Sequence, residues 1–214
     1  LCEQRYHGVV FCTLGWACWK TYLDRPETDP SRAMAMSILG NGLSAARHYA
    51  DALTVEEAEL SLLRRIGAPE HTILGTQSNL ACTYERLGRR EEALRLRRDV
   101  YAGRLRRNGE KHVVTIVAAQ NYATCLAGLQ RFEEAKSVSR TTLPVARRVL
   151  GESDRLTLTL RWNYARALYG DAGATLDDLR EAVTTLEDVE RTARRVLGGA
   201  HPNMAKIERS LQQA

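Results

Sequence analysis

Long apolar runs are missing from this sequence. No segment approaches the roughly 18 consecutive apolar residues that span a bilayer, so no membrane helix is expected. The most apolar stretch, Val9 to Trp19, is broken by Thr13 and Gly15. Behind Arg5 it has the outline of a signal-peptide core, but Cys18-Trp19-Lys20-Thr21-Tyr22-Leu23 continues it without a cleavage-like boundary. A buried helix is therefore the better reading. Leucine at position 1 suggests a chain that continues upstream.

Proline is scarce (five residues), as are Phe (two) and Trp (three), and the 44% of hydrophobic residues are mostly Leu, Ala and Val. Ala and Leu are strong helix formers, and β-branched runs are short, so the composition favours helices over strands. The five cysteines, Cys2, Cys12, Cys18, Cys82 and Cys125, are odd in number and contain no C-x-x-C pair. That argues against a disulfide framework and a zinc site, and for reduced thiols in a cytoplasmic protein. The five histidines do not cluster, and H-E-x-x-H, G-x-S-x-G and P-loop motifs are absent; Gly40-Asn41-Gly42 lacks the third glycine of a dinucleotide loop. No catalytic residue, metal or cofactor is assigned. Lysine occurs only at Lys20, Lys111, Lys136 and Lys206, so the net charge of +5 is carried by arginines interleaved with acids. Such interleaving marks a solvated helical face before it marks a nucleic-acid surface.

What is present is a repeat. Asn79-Leu80-Ala81, Asn121-Tyr122-Ala123 and Asn163-Tyr164-Ala165 follow one another at intervals of 42 residues. A small residue recurs as Gly40, Ala81, Ala123 and Ala165. A second follows an acid in Asp51-Ala52, Glu92-Ala93, Glu134-Ala135 and, five residues late, Glu181-Ala182. Gly67, Gly109, Gly151 and Gly198 punctuate the repeat ends. Within one unit, Ile116, Ala119, Tyr122, Ala123, Leu126 and Leu129 form the stripe of an amphipathic helix; Phe132, Ala135, Val138, Thr142 and Val145 form a second. Each repeat thus reads as helix A, turn, helix B, turn, and neighbouring units must stack to bury both stripes.

The spacing predicts a first, B-type helix over 9–23 and A helices near 30–46, 72–87, 113–129 and 155–169. It predicts B helices near 49–65, 90–107, 132–149 and 175–197, and a last helix from about 202. Asp29-Pro30 and His201-Pro202 are helix-start signals, and Thr175 with Asp178 resembles a capping box closing an inserted loop at Gly170–Ala174. Pro144 is expected to kink the third B helix. The acidic pairs Glu91/Glu92, Glu133/Glu134 and Asp177/Asp178 recur at B-helix starts, where they complement the helix dipole. The chain divides into a flanking helix of a preceding repeat over 1–29, repeats over about 30–67, 68–109, 110–151 and 152–198, and a terminal helix over 199–214.

Val149-Leu150-Gly151-Glu152-Ser153-Asp154, then Thr157-Leu158 and Asn163-Tyr164-Ala165, resembles the kinesin-light-chain type of tetratricopeptide repeat, as does Val196-Leu197-Gly198-Gly199-Ala200-His201-Pro202. The resemblance covers about 31–213. It implies an all-α fold, a right-handed superhelix whose A helices line a concave groove for a peptide or protein segment. Three departures stand out. The first repeat has Ile38 in place of Asn, Asp154 stands where the family has His, and Ala68-Pro69-Glu70-His71 is out of phase. The heptad coiled coil of kinesin light chains is absent from this chain, so no motor role follows.

The candidate groove residues are Asn79, Asn121 and Asn163 with the variable neighbours Ser78, Cys82, Glu85, Gln120, Thr124, Trp162, Arg166 and Tyr169. Each Asn has two readings. It bonds an adjacent helix, or, as the resemblance implies, it faces the groove and holds a ligand's backbone. Arg64, Arg106, Arg148 and Arg195 recur in the last turns of the B helices, as partners of the negative helix end or as a basic stripe for an acidic partner. The favoured function is a non-enzymatic scaffold or adaptor for a protein or peptide ligand. The alternatives are a sensor or regulatory segment of a larger signalling protein and, less favoured, a basic nucleic-acid-binding array.

Overall fold

The computed structural model describes residues 2–198 and 202–213, and among them it contains ten helices and no strand. They are α1 (Cys2–Tyr22), α2 (Pro30–Ala45), α3 (Tyr49–Arg65), α4 (Glu70–Arg86), α5 (Arg90–Asn108), α6 (Val113–Gly128), α7 (Phe132–Leu150), α8 (Arg155–Tyr169), α9 (Leu176–Leu197) and α10 (Pro202–Gln213). Two starts differ from the periodicity reading. The first helix begins at Cys2 rather than near 9. The helix α4 begins at Glu70 rather than 72, because Pro69 fixes an extended backbone (φ −54°, ψ 138°) and Glu70 opens the helix beside it. Pro144 lies inside α7, which runs unbroken from Phe132 to Leu150.

The caps follow the chemistry of the sequence. Asp29 accepts the Ser31 amide at 2.8 Å and Pro30 takes the first helical position. Thr175 and Asp178 close a reciprocal capping box on α9. His112 caps α6 by accepting the Val114 amide at 3.3 Å, and Asp154 caps α8 by accepting the Leu156 amide at 2.8 Å. Asp154 thus does at its turn what His112 does at the preceding one, since both offer an acceptor two residues before the amide. His201 lies outside the described residues.

Between A and B helices the chain turns through one left-handed residue. Gly88 (φ 77°) does this between α4 and α5, with the Arg89 amide donating to the Tyr84 carbonyl at 2.9 Å. Arg47 (φ 67°) and Gln130 (φ 61°) adopt the same geometry, with the matching bonds His48 N to Leu43 O and Arg131 N to Leu126 O. The 6→1 bond is the Schellman closure, so two non-glycine residues accept a strained backbone to make the same turn. The fourth turn is the exception. Gly170–Ala174 is non-helical, and Asp171 orders it by accepting the Gly173 amide and, on its other oxygen, the Lys136 ammonium.

The chain forms two compact units, residues 1–103 and 104–214. In the first, α1 lies against α2 at backbone distance. A Cβ on Gly15 would sit 2.8 Å from Leu39 Cα, and one on Gly42 would sit 2.5 Å from Phe11 O. Leu39, Leu43 and Ala52 form one core there, and Ala33, Met36, Leu62 and Leu63 another, with Trp19 and Val55 packed on both. In the second unit Ile116, Leu143, Leu160, Tyr164, Leu168 and Leu186 make the main core, and Leu158, Val189, Met204 and Ile207 seat α10. All the recurring small residues are buried: Gly40, Ala81, Ala123 and Ala165 on A helices, and Ala52, Ala93, Ala135 and Ala182 on B helices.

Candidate functional site

On α8, Arg155, Thr159, Trp162, Arg166 and Tyr169 are spaced by four, three, four and three residues, and so share one helical face. On α6 the same rule aligns Val113, Val117, Gln120 and Thr124. Val113 and Val117 are exposed. Between these helices lies a notch of about 360 Å³ lined by Val113, Leu150, Asp154, Arg155, Leu156 and Thr159. Its walls are mostly apolar, with Arg155 at the rim.

The three candidate asparagines are not equivalent. Asn163 is buried and donates Nδ2 to Thr124 Oγ1 at 3.0 Å, tying α8 to α6. Asn79 and Asn121 are half-buried. Gln120 reaches the same Thr124 hydroxyl at 3.3 Å. Trp162 is also engaged: its indole N–H donates to Ser210 Oγ on α10 at 2.9 Å, and the Arg166 guanidinium lies over its ring at 5.5 Å. Tyr169 packs half-buried against the main core.

In the first unit Ser78, Cys82 and Glu85 come together on one face of α4, around a residue the sequence reading missed. Arg97 of α5 is buried and grips Glu85 with two bonds of 3.0 and 3.1 Å. It also reaches Cys82 Sγ at 3.0 Å and the Ser78 carbonyl and hydroxyl at 3.4 Å. Arg161 in the second unit is likewise buried, and pairs with Asp188 at 2.6 Å and Glu152 at 3.4 Å. The Arg161 guanidinium holds the Asp188 carboxyl below the usual carboxylate range.

Two buried acids have no such partner. Glu56 and Glu59 on α3 are each only 2% exposed. Glu59 accepts hydroxyl bonds from Ser37 on α2 and from Thr76 on α4, the latter at 2.9 Å. Glu56 lies beside Thr83 and has an unpartnered Oε2. Burial pushes the Glu56 carboxyl up to about 7, and raises Glu59 as well. One sequence signal was available. Gly40 stands where the other repeats have alanine, and a Cβ there would crowd Glu56 Cγ at 3.0 Å.

Arg64, Arg106, Arg148 and Arg195 are all exposed in the last turns of α3, α5, α7 and α9. Arg148 pairs loosely with Glu110 at 3.8 Å. Among the described residues no cluster of His, Cys, Asp and Glu could hold a metal, and no helix is long and apolar enough to cross a membrane.

Antiparallel helix pairs with a small residue at each crossing define a helical-repeat class of protein. Residues 72–147 match the family model of the tetratricopeptide repeat. Solved structures extend the likeness of fold over nearly the whole chain. BtubC (BKLC) from P. vanneervenii has a TM-score of 0.74 at 15% identity, over 97% of this chain and 81% of that one. The kinesin-light-chain-type TPR-like repeats of Podosopora anserina give 0.74 at 16% identity, over 91% and 95%. A Rap protein complexed with Competence and Sporulation Factor gives 0.64 at 18% identity, over 97% of this chain and 59% of that one. No curated protein matches the chain in sequence. The fold is thus the all-α tetratricopeptide solenoid, of the kind found in kinesin-light-chain-like proteins, and repeats of this type generally mediate protein–protein interaction.

Proposed function

We propose that the chain is a non-catalytic interaction module that holds a protein or peptide segment along the face of its A helices, centred in the second unit on α6 and α8. The apolar notch beside Val113 and Thr159 carries this reading. Its volume suits one apolar side chain of a ligand, and the exposed Val113 and Val117 extend the apolar surface along α6. Gln120 and Asn121 supply amides for a ligand backbone, while Arg155 and Arg166 bias the site toward an acidic segment. That a Rap protein of similar fold is seen with a bound factor supports a ligand-holding role for such arrays.

For Asn163 the reading favoured is the first of the two the sequence offered, a bond to an adjacent helix, and Trp162 has a partner on α10. Asn163 holds the spacing of the two A helices, and Trp162 anchors α10. The test is selection of peptides from a random display library on the full chain. Thr159→Trp, which fills the notch, should abolish binding of the selected peptides while leaving helical content unchanged. Peptides that bind the filled variant as well as the native chain would sink the proposal.

A further inference from the structure

The first unit carries a second recess, built between α3 and α5 over the end of α4, with a volume of about 420 Å³. Leu60, Leu80 and Leu96 form its floor; Leu60 and Leu80 are buried and Leu96 is half-buried. Its rim is charged, and the charges are unequally occupied. Glu57 accepts the Tyr84 hydroxyl at 2.6 Å, and Glu92 accepts Arg89 Nε at 2.9 Å. Arg89 is held further by stacking over the Tyr84 ring at 4.5 Å. The two arginines that line the recess, Arg64 and Arg95, are exposed, and among the described residues neither makes an ion pair. Both lining carboxylates are thus held, Glu92 by Arg89 from outside the lining, with Arg95 acting on it only at longer range, and the guanidiniums of Arg64 and Arg95 stand over an apolar floor without an ion-paired carboxylate.

We propose that this recess is a docking site for an acidic-apolar protein segment: a Leu- or Phe-like side chain seated on the leucine floor, next to a carboxylate held by Arg64 and Arg95. The match is one of charge and shape. A single carboxylate gives Arg64 and Arg95 the ion-pair partner they lack, and the two forks offer it planar, bidentate donors. A polyphosphate chain is the poorer fit, since its further charges would meet Glu57 and Glu92. The site's arginines lie on B helices of the first unit, so it stands independently of the A-helix face of the second. It also gives Arg64 a role beyond its helix end.

The probe is the same random peptide library, selected on the full chain at low salt. A class of peptides with Asp or Glu beside Leu or Phe is expected. The exposed-rim double variant Arg64→Gln/Arg95→Gln should weaken this class at least tenfold. Ser61→Trp, which fills the recess, should remove it, and Thr159→Trp should leave it intact. Affinity should fall as salt rises, because the contact is partly exposed. The proposal is overturned if no selected peptide responds to Arg64→Gln/Arg95→Gln, if the responding peptides lack an acid, or if single-stranded DNA binds through these two arginines instead.

Discussion

Glu56 makes the stability of the first unit depend on pH in the neutral range. Its carboxyl titrates near 7 in the folded chain against 4.5 for an unburied glutamate, because burial disfavours the charged form. The folded state therefore binds the proton more tightly than the unfolded one. Stability is fully present below about 4.5 and is lost as pH rises through 7. At about 1.4 kcal/mol per pKa unit, the interval corresponds to a loss of about 3 kcal/mol by pH 8. Glu59 is raised in the same direction and adds to the loss. Asp29 and Glu92 in the same unit are lowered, so their contributions are lost only in acid, below the window in question.

The assay is urea unfolding between pH 5 and 8, followed by tryptophan fluorescence in a Trp162→Phe background. Trp16 and Trp19 then report on the first unit alone. The native chain should lose stability steadily from pH 5 to 8. Glu56→Gln keeps the shape without the charge, so its dependence should be much shallower, and it should exceed the native chain in stability at pH 8. A native chain equally stable at pH 5 and 8, or a Gln variant with the native slope, would refute the assignment of the proton to Glu56.

The helices were legible because their causes are local. Apolar spacing, the cap acceptors Asp29, His112, Asp154 and Thr175, and the left-handed glycines Gly67, Gly88, Gly109, Gly151 and Gly198 act within a turn or two, and the sequence carries them along the repeats. The inserted loop was legible for the same reason, since Gly170 and Gly173 flank Asp171 and a capping box follows. The charged residues inside the helix pairs were not. Glu56, Arg97 and Ser139 occupy one register of successive B helices, and their chemistry changes from acid to base to hydroxyl. A search for recurring residues passes over such a position, because each packing partner changed with it. Arg97 faces Glu85 and Cys82, whereas Glu56 faces Gly40. The recurring Asn carried two readings, and what divides them is burial that the repeat does not encode: Asn163 is buried and bonds Thr124, while Asn121 is half-buried.

Removing Glu85 as Glu85→Ala should cost more than Arg97→Leu in urea unfolding. The first strands a buried cation, at about 3 kcal/mol, whereas the second leaves a carboxylate that water can reach. Gln130→Gly should raise the melting temperature, since it relieves a left-handed backbone worth about 1 kcal/mol, and Gly88→Ala should lower it by a similar amount. The last contrast separates the scaffold from the proposed ligand face. Asn163→Ala removes a buried amide and the bond it makes to the Thr124 hydroxyl on the neighbouring helix, and should cost about 1 kcal/mol of stability. Asn121→Ala removes a half-buried amide and should change stability by less than about 0.5 kcal/mol. Peptides selected on the A-helix face should nevertheless bind Asn121→Ala several-fold more weakly, because one neutral hydrogen bond to a ligand backbone is worth about 1 kcal/mol. Urea unfolding and peptide titration of the two variants side by side decide the matter. If Asn121→Ala destabilises the fold as much as Asn163→Ala and leaves binding unchanged, Asn121 too is a residue of the scaffold, and the ligand is held by Gln120, Val117 and the notch without it.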